Sequence, residues 1–154
     1  MCTTDELAGF RLFAGLSPAQ FETIAALGHG VSFPAGQRII EEGRPAQRCW
    51  LIRSGQVALQ TPLPNNTAST LQTLGHGDVL GWSWLIAPYR WRFDGVATTP
   101  VTAIELDAVR LRELAAQDCS LGYVIALRLA ETLADRLHGT RARLIDVYGS
   151  RGDG

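Results

Sequence analysis

The sequence predicts a single, mainly β domain with flanking α-helices, and three observations carry this prediction. The chain has 154 residues, 46% hydrophobic and 19% charged, which suits one packed domain and argues against disorder. Between residues 29 and 107, short apolar runs alternate with turn residues, a pattern typical of an antiparallel double sheet or barrel. Helical apolar spacing flanks this region on both sides. We therefore divide the domain into N-terminal helices (1–28), a β core (29–107), C-terminal helices (108–148) and a tail (149–154).

The N-terminal part contains two helix starts. Residues 4–6 can begin a short helix. A stronger start follows at Ser17, an expected N-cap, with Pro18 at the first helical position and Gln20 as its capping-box partner. Apolar residues at helical spacing come next, and Gly28 is the expected end of this helix.

The β core is predicted from apolar runs that glycine, proline and asparagine separate. No helical period of useful length interrupts them. The predicted strands are Val31–Phe33, Arg38–Glu41, Cys49–Ile52, Val57–Gln60, Thr70–Leu74, Val96–Thr99 and Thr102–Leu106.

The C-terminal third returns to helical spacing. Asp107 can cap a short helix over Arg110–Ala116, and a longer helix is predicted from about Ser120 to Tyr148. An apolar heptad seam runs along the longer helix and comprises Ala126, Ala130, Leu133, Leu137, Thr140, Leu144 and Val147.

Two interpretations of this seam remain open. The helix can pack on its own β core, which needs one apolar stripe, or it can pair with a second copy in a homodimer. A second row, Val124, Leu127 and Leu129, can serve the core and leave the seam to a partner. In the dimer interpretation Leu133, Leu137 and Leu144 form the interface.

Composition excludes several functions. All 14 basic residues are arginine, so mechanisms that need a lysine ammonium are excluded. The formal net charge of -1 does not favour nucleic-acid binding. Three separated cysteines favour a reduced, cytoplasmic protein, and we expect neither a signal peptide nor a membrane span. No carboxylate pair or Cys/His couple indicates catalysis, so we expect no enzyme.

Four segments with spaced glycines resemble a known family. They are Leu12–Ser17, Phe33–Gly43, Trp50–Val57 and Leu74–Gly81. Over roughly residues 10 to 148 the chain resembles the cyclic nucleotide-binding domain of the catabolite-activator and oxygen-regulator superfamily. The resemblance implies an antiparallel double-sheet, jelly-roll-like β-roll with short N-terminal helices and a long C-terminal helix. Glycine suits the corners of such a fold because it adopts positive φ at little cost.

The resemblance also implies where a ligand binds. In the family a glutamate binds the ribose 2′-hydroxyl and an arginine pairs with the cyclic phosphate. Here Trp82 stands at the glutamate position, Arg92 at the arginine position and Phe93 at a serine or threonine position, with Arg90 as a second candidate arginine. The implied ligand-binding residues are Gly81, Trp82, Ser83, Trp84, Leu85, Arg90, Arg92, Phe93 and Asp94, with Thr140 on the long helix near the base.

These residues change the chemistry of the implied site. Indole has no hydrogen-bond acceptor, so Trp82 cannot receive the hydrogen bonds that a carboxylate receives from ribose. Five aromatic residues fall between positions 82 and 93, and they either fill the nucleotide pocket or line it for a planar ligand. Asp94 either pairs with Arg92 or Arg90, or is a solvated surface carboxylate.

The functional hypothesis is a stand-alone regulatory or sensor protein that acts through a partner protein, with weakened or altered binding of cAMP or cGMP. The alternatives are an ordinary cAMP-binding regulatory domain and a protein-interaction module whose pocket is filled. DNA-binding relatives continue into a helix-turn-helix after the long helix. The sequence ends instead in a glycine-rich stretch, so we expect no DNA binding by this protein on its own.

Overall fold

A computed structural model describes residues 4–63 and 68–152, with side chains described up to residue 139 except at positions 62 and 68. The helices are α1 (Thr4–Ala8), a 3₁₀ turn (Arg11–Phe13), α2 (Pro18–Ala25), α3 (Ala108–Gln117) and α4 (Cys119–Gly152). The strands are β1 (Gly28–Phe33), β2 (Arg38–Ile40), β3 (Arg48–Ser54), β4 (Val57–Pro62), β5 (Ala68–Leu74), β6 (Val79–Leu80), β7 (Asp94–Ala97) and β8 (Val101–Asp107). No helix among these residues has the length and apolar character needed to cross a membrane.

Within the described residues, the strands form two four-stranded antiparallel sheets. Their orders are β1-β8-β3-β6 and β2-β7-β4-β5. This arrangement, with short helices before it and a long helix after it, confirms the predicted double-sheet β-roll. All seven predicted strands are present, with ends shifted by a few residues. The prediction missed β6, because two residues are too short to show a period.

Local signals account for the helix starts. The Ser17 hydroxyl accepts a hydrogen bond from the Gln20 amide, and the Gln20 side chain accepts one from the Ser17 amide, as the capping box predicts. Asp107 caps α3 by accepting from the Arg110 amide. Helix α4 continues to Gly152, so the tail expected at 149–154 is helical where the structure describes it.

A buried carboxylate joins the strands of the first sheet. Glu105 on β8 accepts a hydrogen bond of 3.0 Å from the Trp50 indole on β3. The other carboxylate oxygen of Glu105 lies 3.1 Å from the His29 imidazole on β1. The Arg48 guanidinium lies 3.6 Å from the oxygen that accepts from Trp50. These polar partners offset the cost of burying the carboxylate.

Helix α4 packs on the roll through a row that the sequence identified only in part, since Val124 and Leu129 were predicted to pack on the core and do so. The buried positions are Leu121, Ile125 and Leu129, and Leu133 packs partly against the same core. Leu127, which the prediction placed in the packing row, is 38% exposed. The guanidinium of Arg128 also donates to the Ala14 carbonyl and fixes the helix to the N-terminal region.

Gly55 occupies a turn between β3 and β4 where another backbone comes very close. Its φ is +92°, and a Cβ atom there would collide with the carbonyl oxygen of Pro100. Gly36 has a similar φ of +90°, yet nothing lies within 4 Å of the position of its Cβ. A substitution at Gly36 therefore incurs only the cost of a positive φ, whereas a substitution at Gly55 also incurs a steric collision.

We expect Gly55→Ala to destabilise the protein more than Gly36→Ala. Both variants force alanine to a positive φ, at about 1–2 kcal/mol. Gly55→Ala adds a collision with backbone, which we expect to cost a further ~1–3 kcal/mol. Urea unfolding of the two variants and the unmutated protein measures the difference. Equal losses would show that the close approach of Pro100 does not determine the residue at position 55.

Candidate ligand-binding site

The implied ligand segment, residues 81–93, connects β6 to β7. Its first residue, Gly81, has a φ of +96°, and a Cβ there would lie 2.7 Å from Cη2 of Trp91. The Trp91 ring is buried, and its centroid is 5.9 Å from that of Trp50. Glycine at position 81 therefore allows an indole to lie directly against the backbone.

The five aromatic residues of this segment divide into three groups. Trp84 is fully buried and donates from Nε1 to the Gly81 carbonyl at 3.1 Å, so it belongs to the core together with Trp91. Tyr89 is exposed and contacts a guanidinium of α3. Trp82 and Phe93 are half-buried and line the cavity at this segment, and the edge of the buried Trp91 ring contributes to the same lining. The sequence could not separate these groups because all five share the same chemistry.

Trp82, Phe93 and Arg92 close over one another at the cavity. The Trp82 and Phe93 rings meet edge to face with centroids 6.4 Å apart, and the Arg92 guanidinium lies 5.7 Å from the Trp82 ring centroid. Such cation–π contacts hold a guanidinium over an indole. The cavity lining comprises Ile40, Leu59, Gly81, Trp82, Ser83, Trp91, Arg92, Phe93 and Arg136.

The volume of this cavity is about 20 Å³. A cavity needs roughly 10–15 Å³ of such space to hold one water molecule, and pockets for small organic ligands measure roughly 300–1,000 Å³. The cavity in this arrangement of side chains is thus smaller than such pockets by more than about tenfold.

Arg136 on α4 is a residue of this site that sequence reasoning missed. Its guanidinium donates to the Val79 carbonyl on β6 at 2.7 Å. Burial lowers the pKa of Arg136, and the charge of nearby Asp78 partly opposes this effect. A signal was available, because Arg136 follows Leu129 and Leu133 at helical spacing on the face that packs against the roll.

A second, more apolar cleft adjoins the small cavity. It measures about 200 Å³ and lies between the roll and α4. Its lining comprises Leu59, Leu71, Gln72, Trp82, Phe93, Leu133, Arg136 and Leu137. Leu133 and Leu137, expected at a dimer interface, thus also form one wall of this cleft.

The structure corrects two expectations for the segment. Arg90 does not join the cavity; it is exposed and donates to the Gly43 carbonyl at 2.8 Å. Asp94 forms no ion pair with Arg90 or Arg92 and is not a surface carboxylate, since it is 8% exposed and accepts from the Glu42 amide at 2.8 Å. Its partner lies 52 positions away in the chain, so no local pattern could indicate it.

The expected residues therefore separate in space. The cavity brings together Gly81, Trp82, Ser83, Arg92 and Phe93. Trp84 lies in the core, while Leu85 is half-buried and does not line the cavity. The side chains of Thr140 and Leu144 lie outside the described residues.

The amino-acid sequence is similar to a known domain family and to a known regulator. The sequence profile of the cyclic nucleotide-binding domain matches residues 30–118. A CRP-like cAMP-activated global transcriptional regulator of Mycobacterium tuberculosis is 28% identical over 141 residues, which is 92% of this chain. The chain spans 61% of the length of that relative.

Two solved structures extend the comparison. A protein of Geobacter metallireducens GS-15, assigned to the cyclic nucleotide-binding class, is 32% identical, with a TM-score of 0.82 and coverage of 90% of this chain and 100% of that one. The catabolite activator protein of Thermus thermophilus is 25% identical, with a TM-score of 0.69 and coverage of 90% and 63%.

The profile covers more than half of the chain, and the Geobacter structure matches nearly all of it. The matched residues 30–118 include most of the two-sheet roll and the whole of the segment 81–93. The chain belongs to the cyclic nucleotide-binding domain family, whose members are regulatory, non-enzymatic domains.

Proposed function

We propose that this protein is a regulatory module whose nucleotide pocket is filled by its own side chains, and that it acts through a protein partner. Binding of cAMP and cGMP is then weak or absent. The observation that carries the proposal is the cavity of about 20 Å³ at the implied ligand position. The sparse cysteines favour the cytoplasm as its compartment.

The chemistry of Trp82 and Arg92 supports the same proposal. Loss of a charged hydrogen bond to ribose costs about 1.5–3 kcal/mol, roughly ten- to a hundredfold in affinity. Arg92, at the position of the phosphate-binding arginine, lies over the Trp82 ring. A cyclic phosphate would have to displace both side chains before it could bind there.

The cleft of about 200 Å³ favours a second candidate function. Trp82 and Phe93 form one wall, Leu133 and Leu137 form the other, and Arg136 lies between them. An apolar cleft with two aromatic rings and one cation suits a planar, anionic metabolite rather than a nucleotide. In this case the aromatic residues line a site instead of filling one.

We expect calorimetric titration of the unmutated protein with cAMP and with cGMP to show no binding tighter than about 10 μM. Trp82→Glu alone should not restore binding, because Phe93 still occupies the phosphate end of the cavity. Trp82→Glu combined with Phe93→Ser should raise the affinity for cAMP, and further addition of Arg92→Ala should remove the gain. Arg38→Ala, a change at an exposed arginine outside the cavity lining, is the matched control for Arg92→Ala and should leave the gain in affinity intact.

Two results would decide against the filled pocket. Tight binding of cAMP to the unmutated protein, lost in Arg92→Ala, would show that the ribose carboxylate is dispensable. Quenching of tryptophan fluorescence by a planar anion such as naphthoate, abolished in Trp82→Ala, would favour the second candidate.

We further propose that α4 mediates a homodimer. Tyr123 and Leu137 are 68% and 71% exposed, and Ala126 and Ala130 are exposed beside them at heptad positions. Large apolar side chains exposed in such a row favour pairing with a second helix.

Ala130→Asp combined with Leu137→Asp should convert the dimer into monomers. Both positions are exposed, so the variant should keep its circular dichroism spectrum, unlike a change at Leu133, which packs partly against the core. His138→Asp, at the exposed position beside Leu137, is the control and should remain dimeric. Sedimentation velocity at ~100 μM measures the state, and a monomeric unmutated protein would contradict the proposal.

A further inference from the structure

A polar cleft outside the nucleotide pocket is formed by the loop 86–90 and helix α3. It measures about 360 Å³, within the range of pockets that hold small organic ligands. Its lining comprises Pro45, Ala46, Gln47, Pro88, Tyr89, Arg90, Val109 and Arg112. Two of these residues are arginines and none is a carboxylate.

Backbone hydrogen bonds hold the loop in one position against the turn before β3. The Ala46 amide donates to the Tyr89 carbonyl at 2.8 Å, and Arg90 forms a β-bridge with Pro45. The Trp91 amide donates to the Arg44 carbonyl at 2.9 Å. The loop therefore presents its side chains from a fixed backbone, which lowers the entropic cost of binding a ligand.

Both arginines of the cleft are anchored by neutral carbonyl groups. Arg90 donates to Gly43 at 2.8 Å, and Arg112 donates to Trp84 at 2.7 Å. Among the described residues no carboxylate lies within ion-pair distance of either guanidinium, so neither positive charge is neutralised by a neighbouring carboxylate. Each guanidinium keeps further N–H donors, since arginine has five.

Tyr89 fixes the orientation of one of these guanidiniums. The guanidinium carbon of Arg112 lies 3.8 Å from the centroid of the Tyr89 ring, a close cation–π contact. Tyr89 adopts a φ of +59°, a left-handed conformation uncommon for a residue with a side chain. This conformation places an aromatic ring, an oriented cation and the second arginine around one cleft.

Two partly buried arginines outside the cleft have a different environment, because each pairs with a carboxylate. Arg53 pairs with Glu6 at 2.6 Å, and Arg128 pairs with Glu131 at 3.1 Å. Glu105 and Asp107 line a neighbouring cavity of about 530 Å³ that shares Gln47 and Val109 with the cleft. The lining of the cleft itself carries two positive charges and no negative charge.

We propose that this cleft is a second, unassigned ligand site that binds a small organic anion. The anion, a phosphate or a carboxylate, contacts Arg90 and Arg112, and an adjoining apolar portion contacts Pro88 and Val109. The site is independent of the nucleotide pocket, because the two cavities share no lining residue.

The test is an NMR titration of the unmutated protein at constant ionic strength. The probes are inorganic phosphate, phenyl phosphate and benzoate, and the readouts are the guanidinium Nε–H and backbone amide signals of residues 45–47, 88–90 and 109–112. We expect saturable shifts confined to these residues, with phenyl phosphate binding more tightly than inorganic phosphate. A stronger response to benzoate than to phenyl phosphate would assign a carboxylate as the preferred anion.

Two variants test the cleft without disturbing the core. Arg90→Gln removes one charge from an exposed residue, and Gln47→Glu adds a carboxylate of nearly the same shape to the wall. Each should lower the affinity for phenyl phosphate by at least about tenfold. The controls Arg38→Gln and Gln37→Glu make the same changes at exposed positions outside the cleft. They should leave the affinity for phenyl phosphate unchanged. Shifts that do not saturate, or that are equal in Arg90→Gln and the unmutated protein, would overturn the proposal.

Discussion

The indole of Trp50 is the contact on which both the sheet and the candidate site depend. Its nitrogen donates to buried Glu105 on the neighbouring strand, and its ring packs 5.9 Å from that of Trp91. Trp91 in turn lies against Gly81, where only a glycine leaves room. The register of the first sheet thereby determines where the segment between β6 and β7 begins and which of its rings enter the core.

The aromatic residues of that segment serve packing more than recognition. Trp84 and Trp91 are core residues, although Trp91 also contributes to the cavity lining, and Trp82 and Phe93 are the half-buried rings near the position of a ligand. Under the proposed function, the indole occupies the space that sugar and phosphate need. The segment would then keep the fold of its family while its side chains fill the ligand position.

The fold could be predicted because its signals are local. Ser17 and Asp107 cap helices within three residues of their partners, and glycine marks the turns between strands. The site could be predicted only in part: five of the expected residues do meet at one cavity, but the positions of the others depend on contacts distant in sequence. Asp94 binds the amide of Glu42, and Arg90 turns to the carbonyl of Gly43, away from the cavity that the resemblance implied for it.

Arg136 joins α4 to the roll through the carbonyl of Val79. Where a bound ligand holds such a helix, the stabilising free energy grows with ligand concentration as RT ln(1 + [L]/Kd). A contact made by the chain's own side chain contributes the same free energy at every metabolite concentration. Under the proposed function, the number of copies of the protein, set by its synthesis and degradation, therefore determines how much partner is engaged, and the level of a second messenger does not.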